Sequence, residues 1–343
     1  MESKMEEYLI SFDNLMKIVD GFIKEGSDVI SISKNGDRFV RLEKSDDIIL
    51  NPEQRPSDIS AKEFLFPRAE PIFFYRKQKE SVEIIDKEPQ KRQVLIGLKP
   101  CDAASFGIMH RVFNWDYRDE FFNRRYENTL IIGLACKYVD DYCFCTSVNI
   151  SPTSTRGSDL FLIPLSDGRF VVQVVTDKGK EIVSRNSQMF EKADPDSGKA
   201  VIDSIKGPQK KFDSKKVKEW LDKNFETDLF NPIGDVCLGC GQCAFVCPTC
   251  HCFDIVDEDY RYGEGRRMKN WDSCQFYLFT LHASGHNPRD TQAKRYRQRV
   301  NHKFKYYIDR FGEILCTGCG RCSRGCPVAI DIGGIVTRIG NLT

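Results

Sequence analysis

The sequence predicts an α+β protein, with an N-terminal α/β-type part over residues 1–226 and a cysteine-dense part over 227–343. Three observations predict it. Short runs of β-prone apolar residues recur at 29–33, 39–42, 72–75, 94–98, 130–135, 160–164 and 170–175. Helical spacing of apolar residues lies between or after some of these runs, notably at 102–112 and 217–225. Eleven of the fifteen cysteines then fall between Cys237 and Cys326, a change of composition that marks the second part.

The runs 94–98 and 130–135 are apolar without alternation, as strands covered on both faces are. Asp102 follows the first of them and reads as the N-cap of the helix through Val112. The polar stretches 176–180 and 193–199 read as surface loops. The boundary between the two parts is placed at 227–233, where Asn231-Pro232 interrupts a helical pattern.

Charge and composition exclude several classes. The chain has 51 Lys and Arg against 50 Asp and Glu, a formal charge of +1, so no basic excess points to nucleic acid. A hydrophobic fraction of 41% is too high for a disordered chain. No run approaches the roughly 18 apolar residues of a membrane span. The stretch 1–10 has acidic residues where a secretory signal needs a basic flank, which leads to the expectation of a cytoplasmic protein. Fifteen cysteines, an odd number, disfavour a fully paired disulfide framework. In a reducing compartment so many thiols point to metal or redox chemistry.

Past the boundary one motif is present twice. Cys237-x-x-Cys240-x-x-Cys243-x-x-x-Cys247-Pro248 returns as Cys316-x-x-Cys319-x-x-Cys322-x-x-x-Cys326-Pro327, and the glycine before the second cysteine recurs as Gly239 and Gly318. Three thiolates at successive x-x spacings can wrap one face of an iron–sulfur cube. The fourth, carried off at a proline-marked helix start, ligates the other cluster in the bacterial two-cluster pattern. The spacing therefore predicts one [4Fe–4S] cluster on Cys237, Cys240, Cys243 and Cys326, and a second on Cys316, Cys319, Cys322 and Cys247. The second part is thus a bacterial two-[4Fe–4S] ferredoxin-like domain, with residues 249–315 as a long insertion between the motifs. Zinc sites of the Cys₄ type use two separated C-x-x-C pairs instead. Gly239-x-Gly241-x-x-Ala244 has the dinucleotide-binding letters, but no strand precedes it.

The insertion holds Cys250-His251-Cys252, Trp271-Asp272-Ser273-Cys274 and Gly285-His286-Asn287-Pro288-Arg289. With the Cys-Pro-Thr-Cys-x-Cys sequence at 247–252, Arg295-Tyr296-Arg297-Gln298, His302-Lys303-Phe304 and the second cysteine motif, the chain resembles one family. That family is the iron–sulfur electron-transfer subunits typified by the β subunit of sulfhydrogenases (cytosolic NiFe hydrogenases) and by the iron–sulfur subunit of anaerobic sulfite reductase. Lys99-Pro100-Cys101-Asp102 and Cys143-Phe144-Cys145 are similar to its other signature.

Those last cysteines suggest a third site. Cys101 and Cys136 lie just past two expected buried strands, and open α/β sheets gather ligands at such carboxyl ends. Cys143 and Cys145, on the loop that follows, complete four thiols for a third [4Fe–4S] cluster, with buried inert thiols or zinc as alternatives. Cys250, Cys252 and Cys274 fit no recognised cluster motif and are expected to pack near the first cluster. His110, in mid-helix, is expected to pack as well. Lys294–Arg310 is basic and interleaved with aromatics, and reads as a solvated or cluster-supporting face.

No nucleophile–base pair, nucleotide loop or flavin site is legible. The expected function is relay of single electrons within a multisubunit cytosolic oxidoreductase, as an electron-transfer component and not a catalyst by itself. The resemblance implies two partners: a flavin- and NAD(P)-binding subunit of ferredoxin-reductase type, which would carry the FAD and NAD(P), and a terminal catalytic subunit. The latter would be a hydrogenase, a sulfite reductase or a heterodisulfide-reductase-like module, and a ferredoxin is a further candidate carrier. The alternative from another class is a catalytic subunit that reduces a sulfur compound at an open first-domain cluster.

Overall fold

The computed structural model describes residues 5–86, 91–194 and 197–342. In chain order the strands are β1 (Glu7–Ile10), β2 (Asp28–Ile32), β3 (Phe39–Leu42), β4 (Ala69–Lys77), β5 (Val82–Ile85), β6 (Gln93–Leu98), β7 (Thr129–Leu134), β8 (Leu160–Pro164), β9 (Phe170–Val174), β10 (Glu191–Lys192), β11 (Phe253–Arg261) and β12 (Glu264–Trp271). The helices are α1 (Phe12–Lys24), α2 (Pro100–Val112), α3 (Glu120–Glu127), α4 (Asp177–Arg185), α5 (Lys199–Ser204), α6 (Ser214–Lys223), α7 (Asn231–Val236), α8 (Gln242–Phe245), α9 (Gln292–Asn301), α10 (Tyr307–Phe311), α11 (Arg321–Arg324) and α12 (Ile332–Gly340). A π-helical turn, His302–Tyr306, joins α9 to α10.

Eight strands form one mixed sheet in the order β10-β1-β9-β8-β7-β6-β2-β3. Its middle, from β2 through β6 and β7 to β8, is parallel, and its flanks are antiparallel. Alternation of side chains assigns each strand to two cores. Val94 and Ile96 of β6, with Leu130 and Ile132 of β7, pack against Val19 and Phe22 of α1 and Ile182 of α4. Leu95 and Ile131 face the opposite core, with Phe106 and Met109 of α2 and Phe122 of α3. Gly97, at φ +80°, shifts the register, so that Leu98 joins Leu95 and not Ile96.

A second sheet, β11-β12-β4-β5, is antiparallel throughout and pairs β4 with the hairpin of the 249–315 segment. Lys269 of β12 lies 3.2 Å from the buried Glu70 of β4, which also pairs with Arg125 of α3. A third core gathers Phe144, Val148, Val217 and Leu221 with Tyr296, Phe304, Val336 and Ile339. Residues 1–226 and 227–343 therefore share one core and one sheet. No helix among the described residues is long and apolar enough to cross a membrane.

Three local expectations are corrected. Helix α2 starts at Pro100 with Lys99 as its cap, because proline's fixed φ and missing N–H suit a first turn; Asp102 lies inside that turn. Residues 177–180 are not loop but the start of α4, capped by Thr176, whose hydroxyl accepts from the Gly179 N–H. Their polarity belongs to the exposed side of a helix that buries Ile182 and Val183. Pro232 sits in the first turn of α7 and begins a helix where a break was expected. The loop expected at 193–199 lies in part outside the described residues, and Lys199 already starts α5.

Candidate iron–sulfur centres

The repeated motif is repeated backbone. After α7 the chain turns through Gly239 (φ +64°) and Gly241 (φ +74°) into α8, and in the second copy through Gly318 (φ +65°) and Gly320 (φ +73°) into α11. Glycine enters this left-handed region without the Cβ clash. Cys237, Cys240 and Cys243 line one cavity, and Cys326 and Cys322, from the other copy, line it as well, with Pro327 and Ile330. Tyr296 and Arg299 of α9 line it too. Burial pushes the Cys243 thiol up to about 12. Arg299 Nε is buried without a hydrogen-bond partner among the described residues. Five cysteines around one cavity beside such a cation, four of them the set that the spacing predicts, fit an anionic thiolate-ligated cluster.

Cys247, two residues past α8, is buried within electrostatic range of Cys316 and Cys322. A hydrogen bond from Cys250 holds its thiol well below the usual range, and Lys303 and Arg299 act in the same direction against burial. Lys303 Nζ donates to Cys247 Sγ at 3.4 Å, to Thr249 Oγ1 at 3.1 Å and to Leu315 O at 2.9 Å. Burial opposes that ammonium charge, and the sulfurs of Cys247 and Cys250 more than offset it. The Gly318 N–H donates to Cys316 Sγ at 3.4 Å.

At the expected third site, β6 and β7 are parallel neighbours, so their carboxyl ends open on one edge of the sheet. Cys101 enters the first turn of α2, and Cys136 follows β7. Cys101, Cys136 and Cys145 share one electrostatic neighbourhood, which also takes in Cys319. Cys143 is hydrogen-bonded to Asp140, whose carboxylate is held by Arg324 at 3.0 Å. Lys99 Nζ, donating to Asn51 O at 2.7 Å and Pro52 O at 2.9 Å, lies beside Cys136 and Cys101.

The second motif copy packs on this site. The Phe144 N–H donates to Gly318 O at 2.9 Å, and a Cβ on Gly318 would lie 2.5 Å from Cys145 N, so no larger residue fits. Asp102, freed from capping, pairs with Arg321 at 2.7 Å, each side chain 1% exposed. Arg321 Nε also donates to Ser57 O at 2.6 Å.

The three remaining cysteines lie beside the first two sites. Cys250 Sγ accepts from Arg299 Nη1 at 3.4 Å. Cys252 and Cys274 are hydrogen-bonded to each other; that bond, with Arg299 acting against burial, brings the Cys274 thiol down to about 5 and raises its partner. His251 turns its Nδ1 to Thr249 O at 3.0 Å and stacks edge-on to His302; burial lowers its pKa to about 4. Among the described residues no group of three His, Cys, Asp or Glu is disposed to hold a single metal ion. His110 packs on Phe122 and Tyr126.

The basic segment divides by helix face. Arg295, Arg299 and Lys303 are buried, whereas Lys294 pairs with Asp290 and Arg310 lies over the Trp115 ring. Lys62 was not legible: its Nζ donates to Ala244 O at 3.3 Å and Cys250 O at 2.9 Å and lies over Trp271, and burial lowers it to about 8. Arg321 and Arg324 had a signal, because they stand where the first motif copy has Gln242 and Phe245.

Residues 236–330 match the 4Fe–4S dicluster domain family. The sulfhydrogenase 2 subunit beta of Pyrococcus furiosus is 30% identical over 298 residues, which cover 86% of this chain and 86% of that one.

Proposed function

Since the chain belongs to the family of the sulfhydrogenase β subunit, we propose that it is the iron–sulfur relay subunit of a hydrogenase-type oxidoreductase complex. Cys237, Cys240, Cys243 and Cys326 would hold one [4Fe–4S] cluster, and Cys316, Cys319, Cys322 and Cys247 a second. Cys101, Cys136, Cys143 and Cys145 would hold a third. Such clusters supply single-electron exchange with little change of shape. The observation that carries the reading is Cys326, which reaches the cavity of the other motif copy.

The contacts support an order. The third site abuts the second motif copy at Phe144 and Gly318, α11 of that copy packs on α8 of the first, and Cys240 of the first is exposed beside Leu238. Electrons thus pass between the surface at Cys240 and the edge of the larger sheet. The chain's own residues exclude water (Tyr296, Phe144), donate hydrogen bonds to sulfur (Gln292, Lys303, Gly318) and place cations (Arg299, Arg321). A flavin- and NAD(P)-binding subunit of ferredoxin-reductase type would dock at one end, and a hydrogenase as the terminal catalytic subunit would dock at the other.

The test is to copurify the untagged complex anaerobically and to assay the isolated chain with reduced viologen against sulfite, polysulfide and disulfides. The relay reading expects turnover only in the complex. Turnover by the chain alone would make it a catalytic subunit.

A further inference from the structure

The thiols left over by the cluster assignment include a pair in contact. Phe253, which opens β11, and Trp271, which closes β12, are register partners, and the Asp272 N–H donates to Cys252 O at 3.0 Å. The base of this hairpin brings the Cys252 and Cys274 side chains within hydrogen-bond reach, both as free cysteines. A chain of hydrogen bonds leaves the pair on one side. Gln275 Nε2 donates to Cys274 Sγ at 3.4 Å, Gln292 Nε2 donates to Gln275 Oε1 at 3.0 Å, and the same Gln292 nitrogen donates to Cys237 Sγ at 3.3 Å. Both glutamines also line an open cleft, with Phe253, Asp272 and Leu278, the chain neighbours of the two cysteines among them, and this cleft leads to solvent.

We propose that Cys252 and Cys274 are a redox-active dithiol–disulfide couple joined to the first iron–sulfur site through Gln275 and Gln292. On oxidation the Cys252 S–H bond breaks and one Sγ–Sγ bond forms with the Cys274 thiolate. One proton leaves toward the cleft, and two electrons leave one at a time to the pair of one-electron centres that the dicluster domain holds. Reduction of the disulfide takes up the same two electrons and one proton. The pair thereby converts between one-electron and two-electron traffic at the exposed end of the chain. The electron acceptors rest on the relay reading; the sulfur–sulfur chemistry rests only on the contact between the two thiols.

The experiment uses the full chain, purified anaerobically with its clusters and poised over a range of potentials with mediators. Each sample is quenched in acid, denatured with an alkylating agent and mapped by peptide mass. The expected result is a Cys252–Cys274 linked peptide that dominates at high potential and disappears at low potential. The disulfide-to-dithiol ratio should change tenfold for about every 30 mV, the slope of a two-electron couple. Cys252→Ser and Cys274→Ser should each abolish the linked peptide and keep wild-type iron and labile sulfide. Free thiols at every potential would overturn the proposal, as would loss of iron in either variant, which would make these residues metal ligands. If the wild-type chain holds no iron, the relay reading fails, and the linked peptide is then sought after equilibration in glutathione buffers. Its formation there upholds the pair, and its absence overturns it.

Discussion

Replacing Lys303 by methionine is expected to lower the reduction potential of one cluster and leave the other in place. The ammonium is 2% exposed and lies 3.4 Å from Cys247 Sγ, the sulfur assigned to the Cys316 copy. At an effective dielectric of about 20, unit charges at 3.4 Å attract by about 5 kcal/mol. An electron added on reduction spreads over the cluster and its four thiolates, so roughly a quarter of that, about 1.2 kcal/mol, bears on the couple. At 59 mV per 1.4 kcal/mol for one electron, the loss is about 50 mV. The positive charge favours the reduced form, so its removal makes the potential more negative. Methionine keeps the length and apolar stem, which limits repacking. The assay is a potentiometric titration followed by electron paramagnetic resonance, with the signals assigned through Cys322→Ser. A shift confined to the cluster of the Cys237 copy, or no shift, would refute the assignment of Cys247.

Four further outcomes follow from the same geometry, the last of them taken up at the end. Arg321→Met leaves the Asp102 carboxylate buried and unpaired, and should destabilise the chain by about 3–5 kcal/mol in denaturant titration; Asp102→Leu with Arg321→Met should recover most of that. Cys326→Ala should damage the cluster of the Cys237 copy despite its distance in sequence, as read by the loss of that cluster's resonance signal. Loss of the Cys316-copy cluster alone would refute the crossed ligation. His251 has a folded pKa of about 4, below its unfolded value near 6.5, so the unfolded chain takes the proton first as pH falls. Stability should drop between those two values, by about 1.4 kcal/mol at pH 5.5, and His251→Phe should remove that part in urea titrations across the range.

The sequence made some levels legible and hid others for a physical reason. Strands 39–42 and 160–164 agree to the residue, because β-branched and aromatic runs between turn residues have little other use. The carboxyl-end placement of Cys101 and Cys136 followed from the two unbroken apolar runs before them. Asp102, Lys62 and Lys303 were hidden because their roles depend on burial by segments far away in the chain. Asp102 looked like a cap because caps are local; its partner Arg321 arrives only when the second motif copy docks on the sheet edge. The 177–180 helix was missed because its buried side rests on Ile182 and Val183, beyond the polar window.

Throughput of the purified complex carrying Cys101→Ala, with iron counted in the same preparation, tests the relay most directly. The account predicts that iron falls by about four per chain, from about twelve to about eight, with both dicluster-domain signals intact. Electron flow between the two proposed partners should then stop. Full throughput at the lower iron content would contradict a path that runs through the edge of the sheet.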